Sequence, residues 1–200
     1  MNLIRNAVEK LREKVEHTGC EDGNIVLRVN PDTVVCQFER GACMEAAFGG
    51  RIAEFVTSEP VRATTRLGFM FGALLEKPAQ RAAACTILNV IAGFLCLSRI
   101  QKACPKECHA PCLESLKKEI GGKPVYCLEV APGPGHDLGF QVKNPGDAEV
   151  ILVTGEGLVI PGGQEIAGDP GGRRVIFLSP STAGICSLEG LEHWCPYGRA

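Results

Sequence analysis

Glu149-Val150-Ile151-Leu152-Val153-Thr154-Gly155-Glu156-Gly157 is a short apolar run that stops in a small polar turn. A strand that is apolar on both faces belongs in a sheet covered on both faces, the usual situation of parallel sheets. The pattern occurs twice more. Val125 to Val130 runs into Ala131-Pro132-Gly133-Pro134-Gly135-His136, and Arg174 to Leu178 runs into Ser179-Pro180-Ser181-Thr182-Ala183-Gly184. The stretches between the three runs are long enough for crossovers, which are right-handed almost without exception. The rear half, from about Pro78, therefore predicts a Rossmann-like parallel sheet with flanking helices.

Outward from this sheet, Ala79 to about Ile100 reads as a helix, with Pro78 in its first turn. It is apolar on nearly all faces, which places it between layers. Glu114 to Ile120 reads as a helix stopped by Gly121-Gly122. In the front half, Leu3, Ile4, Ala7, Val8, Leu11 and Val15 fall at helical spacing within Asn2 to His17. Asn24 to Val29 and Thr33 to Phe38 predict a hairpin turning at Asn30-Pro31-Asp32, Arg51 to Thr57 a third strand, and Arg62 to Leu75 a helix. The expected fold class is α/β, with a small α+β part over residues 1–77 and the Rossmann-like part over residues 78–200.

Composition narrows the function classes. Hydrophobic residues make up 45% of the 200, and the net charge is -2. No basic stripe suggests nucleic acid, and no polybasic patch suggests a membrane surface. The N-terminal stretch alternates charge with apolar residues, unlike a signal peptide. The longest apolar run, Cys85 to Leu97, contains Asn89 and falls short of the roughly 20 residues that span a bilayer. The expected location is the cytoplasm, with no nucleic-acid or membrane partner; a homo-oligomer is compatible with the sequence. Eleven cysteines, an odd number without a secretory signal, argue against a disulfide framework. Metal binding, redox chemistry and plain burial remain.

The densest chemistry is Cys104-Pro105-Lys106-Glu107-Cys108-His109-Ala110-Pro111-Cys112. Thiolates at this density suit zinc or an iron–sulfur cluster. The C-x3-C-x3-C spacing matches neither the common zinc knuckle nor the usual ferredoxin runs. On one continuous helix Cys104 and Cys112 stand about 12 Å apart, too far for both sulfurs to reach one metal. A turn from Pro105 to His109, broken before Pro111, folds Cys112 back toward Cys108. Cys96 or His109 is the candidate fourth ligand. The plain alternative is a Cys-rich linker, or burial without metal.

A second constellation is the set of turns after the strands, because open parallel sheets bind ligands outside their carboxyl ends. Gly133, Gly135, His136, Asp137, Thr154, Ser181 and Thr182 are the candidates, for an anionic or phosphorylated ligand. The turns lack the G-x-G-x-x-G fingerprint, so a nicotinamide cofactor is not expected. The plain alternative is tight turns, with Ser181-Thr182 capping a short helix. Glu39, Arg40, Glu45, Arg51, Glu54, Glu59, Arg62 and Arg66 are expected on a solvated face. Cys85 and Cys96, three helical turns apart, are expected in the core, and Asn89 needs a buried partner.

Three stretches carry a family resemblance. Gln80-Arg81-Ala82-Ala83-Ala84-Cys85-Thr86-Ile87-Leu88-Asn89, Asp147-Ala148-Glu149-Val150-Ile151-Leu152-Val153-Thr154-Gly155 and Val175-Ile176-Phe177-Leu178-Ser179-Pro180-Ser181-Thr182 resemble an Ala-rich helix and two strand–turn units of the uncharacterised heavy-metal chelation family. The resemblance spans about residues 24 to 195. It implies a front half shaped like the enolase N-terminal domain, then a Rossmann-like half. It implies no activity, because the family's name is itself conjectural. Two departures stand out. Pro132-Gly133-Pro134-Gly135 replaces the family's Gly-rich turn, and the cluster from Cys104 to Cys112 is not a feature of the whole family. Two hypotheses follow: a metal- or cluster-binding protein using the Cys cluster, or an enzyme or small-ligand binder using the crevice above the sheet.

Overall fold

The computed structural model describes residues 2–131 and 138–200. Four parallel strands form the rear sheet in the order β5 (Val125–Leu128), β6 (Val150–Val153), β7 (Arg174–Leu178), β8 (His193–Trp194). The three apolar runs are thus parallel neighbours, with their carboxyl ends on one edge. Side chains alternate across a strand, and here both sets are buried. Ile151, Val153 and Phe177 enter one apolar core, while Val150, Leu152, Ile176 and Leu178 enter another. Leu113, Leu116 and Ile120 of α4 (His109–Ile120) cover the second face. The first face shares its core with α1 (Leu3–Val15), α3 (Pro78–Phe94), α5 (Gly155–Val159), α6 (Gly163–Gly168) and α7 (Ala183–Glu189).

The front sheet is antiparallel, in the order β3 (Arg51–Thr57), β2 (Ala42–Phe48), β1 (Asn24–Val29), β4 (Ala63–Arg66). Two expectations are corrected here. β1 pairs with β2, not with Thr33 to Phe38. The tight hairpin is β2–β3, where Gly49 and Gly50 supply φ of 53° and 78°, the two positive values such a turn needs. Thr33 to Phe38 instead crosses to the rear half, where Phe38 is buried beside α4. The Arg62 to Leu75 stretch is not one helix. Ala63–Arg66 extends along the free edge of β1, and only α2 (Leu67–Met70) is helical. A strand edge offers a hydrogen-bond ladder, and that tertiary partner overrides local helical spacing.

α3 begins at Pro78 as expected but ends at Phe94, short of Ile100; Cys96 then adopts a left-handed φ of 57°. It is buried on most of its faces, with Met44, Ala46 and Phe55 of the front sheet and Leu158 and Ile185 of the rear half in the same core. One apolar core therefore runs through both halves. Among the described residues, no helix is long and apolar enough to cross a membrane.

α1 is amphipathic, and Asn2 caps it by accepting from the Arg5 amide at 2.9 Å. Asn2→Ala is expected to cost about 1 kcal/mol. That corresponds to a fall in Tm of about 2–4 °C for a chain of this size. Thermal unfolding followed by circular dichroism checks it, and an unchanged Tm would show that the cap does not hold this helix.

Candidate thiol site and the crevice beside it

The segment carrying the cysteine cluster is tied down before it reaches Cys104. Gln101 and Lys102 amides donate to the Arg199 carbonyl at 2.7 and 2.9 Å, and the Arg199 amide donates back to Lys102 at 2.9 Å. Arg199 Nε also donates to the Ala103 carbonyl at 2.8 Å. After an extended Pro105, one 3₁₀ turn (Lys106–Cys108) runs directly into α4 at His109. Pro111 was expected to break this helix and does not. It falls in the first turn, where backbone amides have no intrahelical partner to lose. Cys108 and Cys112 therefore stand four residues apart on one helical face. Cys104 precedes the helix, so the 12 Å separation of a straight helix does not apply to it.

Two other segments reach the same place. Gln37 Nε2 donates to the His109 carbonyl at 2.6 Å, and the Ala131 amide donates to the Phe38 carbonyl at 2.9 Å. Cys36 is buried in the core cluster that holds Ala103 and Cys112, and Trp194 packs against that cluster. Past Trp194 the chain turns, with the Gly198 amide donating to the Cys195 carbonyl at 3.1 Å. A Cβ on Gly198 would lie 2.7 Å from Cys195 Sγ, so this turn has no room for a side chain.

Neighbouring thiols bear on Cys36, Cys104, Cys112 and Cys195. Burial pushes Cys112 up to about 11, and the charges of Cys104 and Cys108 add to this, while Trp194 and Gln37 side chains favour its thiolate. Burial raises Cys104, with Cys108 next among the raising causes. Burial also raises Cys195, followed by Cys112 and Cys104. Cys36 is raised by burial, then by Glu39, and further by Cys195 and Cys112. Trp194 Nε1 is buried and has no conventional hydrogen-bond partner among the described residues, which leaves it as a donor toward the Cys112 sulfur. Among the described residues, no three His, Cys, Asp or Glu side chains stand ready-spaced around one metal position. Closing such a site therefore requires rotation of the thiols about χ1. All eleven cysteines are free.

The two other candidate ligands differ. His109 opens α4, and its carbonyl is engaged by Gln37. Cys96 is exposed past the end of α3, in a hollow it shares with Arg51, Ser98 and Arg99, and so is not the core residue its spacing suggested.

At the carboxyl edge of the sheet, Thr154, Ser181 and Thr182 are at most 2% exposed. Thr154 Oγ1 donates to the Glu129 carbonyl at 2.9 Å and caps α5 by accepting from the Gly157 amide at 3.4 Å. Ser181 Oγ accepts from the Val56 amide at 2.9 Å, and Thr182 Oγ1 donates to the Leu178 carbonyl at 2.8 Å. These three hydroxyls hold turns and join the sheets. Gly133, Gly135, His136 and Asp137 lie outside the described residues.

The group that enters this crevice is Glu39. It was expected on a solvated face and is buried instead. Its Oε1 accepts from the Gly155 amide at 3.4 Å. Burial pushes its pKa up to about 7, against the opposing effect of the Ser181 and Ser179 hydroxyls and the Gly155 amide. Glu45 and Glu54, also expected in solvent, are buried and directly opposed across β2 and β3. Glu45 is held by Arg28 Nε at 2.6 Å and Asn30 Nδ2 at 2.7 Å. Glu54 accepts from Thr33 Oγ1 at 3.1 Å and the Ala103 amide at 2.8 Å, and burial raises its pKa. The loop after β1 accounts for this burial: it brings Asn30 to Glu45 and Thr33 to Glu54, and it carries Glu39 itself to the Gly155 amide. Neither Cys36, Cys195 nor Glu39 has a sequence neighbour that marks it. The odd cysteine count was the one available signal.

No family model, no curated protein and no solved structure matches this chain.

Proposed function

We propose that this protein is a cytoplasmic binder of a thiophilic metal, zinc or an iron–sulfur cluster, through Cys104, Cys108 and Cys112. The observation that carries the reading is the placement of Cys108 and Cys112 on one helical face beside Cys104, with the Gln37 and Trp194 donors favouring the Cys112 thiolate. Soft thiolates select soft or borderline metals. Bound there, zinc would supply structural rigidity or Lewis acidity, and a cluster would store an electron. The chain's part is to hold the sulfurs, exclude water by burial and favour the ionised sulfur with N–H donors. The thiols must lose their protons to ligate, and burial raises Cys104 and Cys112, so affinity is expected to fall as pH falls.

The test is metal content per chain after anaerobic, reducing purification. Simultaneous C104S, C108S and C112S should lower bound metal by about tenfold or more. Unchanged content in that variant overturns the proposal. Visible thiolate-to-metal charge-transfer bands distinguish an iron–sulfur centre from zinc, which is colourless.

A further inference from the structure

We infer that Cys36 and Cys195 belong to the same metal site, so that its thiolates come from three segments far apart in the sequence. The inference rests on the proposed function and deepens it. Three cysteines leave a tetrahedral zinc or a cubane cluster one protein ligand short; Cys36 and Cys195 bring the thiols at the site to five, of which four ligate and the fifth donates to a ligating sulfur. Neither His109 nor Cys96 is needed to fill that place. Cys195 is set beside Ala103 and Cys104 by backbone geometry. β8 pairs with β7 through His193 and Trp194, the chain turns at Gly198, and Arg199 pairs with Lys102 and caps the Ala103 carbonyl. Cys36 is set beside α4 by the Gln37 contact to His109 and by its packing with Ala103 and Cys112. Cys85 and Cys186 make a useful contrast, because both sit in the other apolar core among aliphatic side chains, as ordinary buried thiols do.

A metal held this way ties the loop after β1, the start of α4 and the segment from Trp194 to Arg199 to one point. Hydrogen bonds and packing already bring these segments together, and the metal would add a bond to each of them. Metal loading should therefore slow backbone opening in residues 34–39 and 193–199 together, at positions distant from Cys104, Cys108 and Cys112 in the chain.

The experiment uses the full chain, stripped with a chelator under reductant and titrated with Zn(II) against a chromophoric competitor. The double variant C36A/C195A should bind Zn(II) about tenfold or more weakly than the unaltered chain, while C85A stays within about twofold. Hydrogen exchange of the unaltered chain should slow in residues 34–39 and 193–199 on adding Zn(II). If the unaltered chain binds Zn(II), the triple serine variant loses it and C36A/C195A keeps its affinity, the inference is overturned and the proposed function stands. If the triple serine variant keeps the metal, the proposed function itself fails. Should C36A/C195A not fold in the presence of chelator, hydrogen exchange of the unaltered chain decides, and no slowing in the two segments overturns the inference.

Discussion

Asn89→Ala is expected to destabilise the protein by about 4 kcal/mol, because it orphans several buried groups at once. Asn89 is 1% exposed on α3. Its Nδ2 donates to the carbonyls of Glu54, Pro180 and Ser181 at 3.0, 3.1 and 3.1 Å, and its Oδ1 accepts from the Gly184 amide at 2.8 Å. One side chain thereby joins the edge of the front sheet to the turn that follows β7. The packing leaves no way to compensate by a shift of the neighbouring helix. A Cβ on Gly184 would already lie 2.6 Å from the Asn89 amide nitrogen, so α3 and α7 are at closest approach there. Each buried donor or acceptor left without a partner costs about 1–3 kcal/mol, and partial relaxation reduces the total. The Tm should drop by about 8–16 °C, at 2–4 °C per kcal/mol for a chain of this length. Leucine at this position should do no better, because it fills the space without satisfying the four groups. Urea unfolding measures the loss, and a change below about 1 kcal/mol would show that these hydrogen bonds contribute little.

The second large effect is a pH dependence that belongs to Glu39. Its folded-state pKa, about 7, lies above the 4.5 of a solvated glutamate. The folded protein thus binds this proton more tightly than the unfolded chain does. The stabilisation is complete below about pH 4.5, declines as pH rises, and is gone above about pH 7. Two and a half pH units at 1.36 kcal/mol each amount to about 3 kcal/mol. Glu39→Gln keeps the shape and carries no titration. The stability difference, Glu39→Gln minus the unaltered chain, should grow by about 3 kcal/mol between pH 4.5 and pH 8. Taking the difference between the two proteins cancels the contributions of Glu54 and His193, which also shift on folding. Denaturant midpoints measured across that range decide the matter. A difference that does not change with pH would mean that Glu39 is ionised in the crevice at all of these pH values, stabilised by the Ser179 and Ser181 hydroxyls and the Gly155 amide more strongly than burial opposes it.

The elements written into local pattern were legible. Short, continuously apolar runs marked β5, β6 and β7, and small polar turns marked their carboxyl ends. Helical spacing marked α1, and the all-apolar stretch after Pro78 marked α3 as a helix between layers. The polar residue inside that stretch announced a buried partner, which proved to be four groups on two segments. The clustering of Cys104, Cys108 and Cys112 was visible because nine residues of chain cannot separate thiols very far.

What tertiary structure alone decided is which distant segment covers which face. Thr33 to Phe38 has the composition of a strand, yet its contacts lie across the molecule: Gln37 reaches His109, 72 residues away, and Glu39 reaches Gly155, 116 residues away. Arg199 meets Lys102 in the same manner, and this places Cys195 near enough to Cys104 to feel its charge. The physical reason is that periodicity encodes an element and its buried face, whereas a loop's destination is set by the unpaired donors, acceptors and apolar surface that remain once the sheets have formed. Sequence by itself therefore determined the parallel sheet, its central helix and three of the thiols. The burial of Glu39 in the crevice, and the company of Cys36 and Cys195, came from closing the chain over long separations.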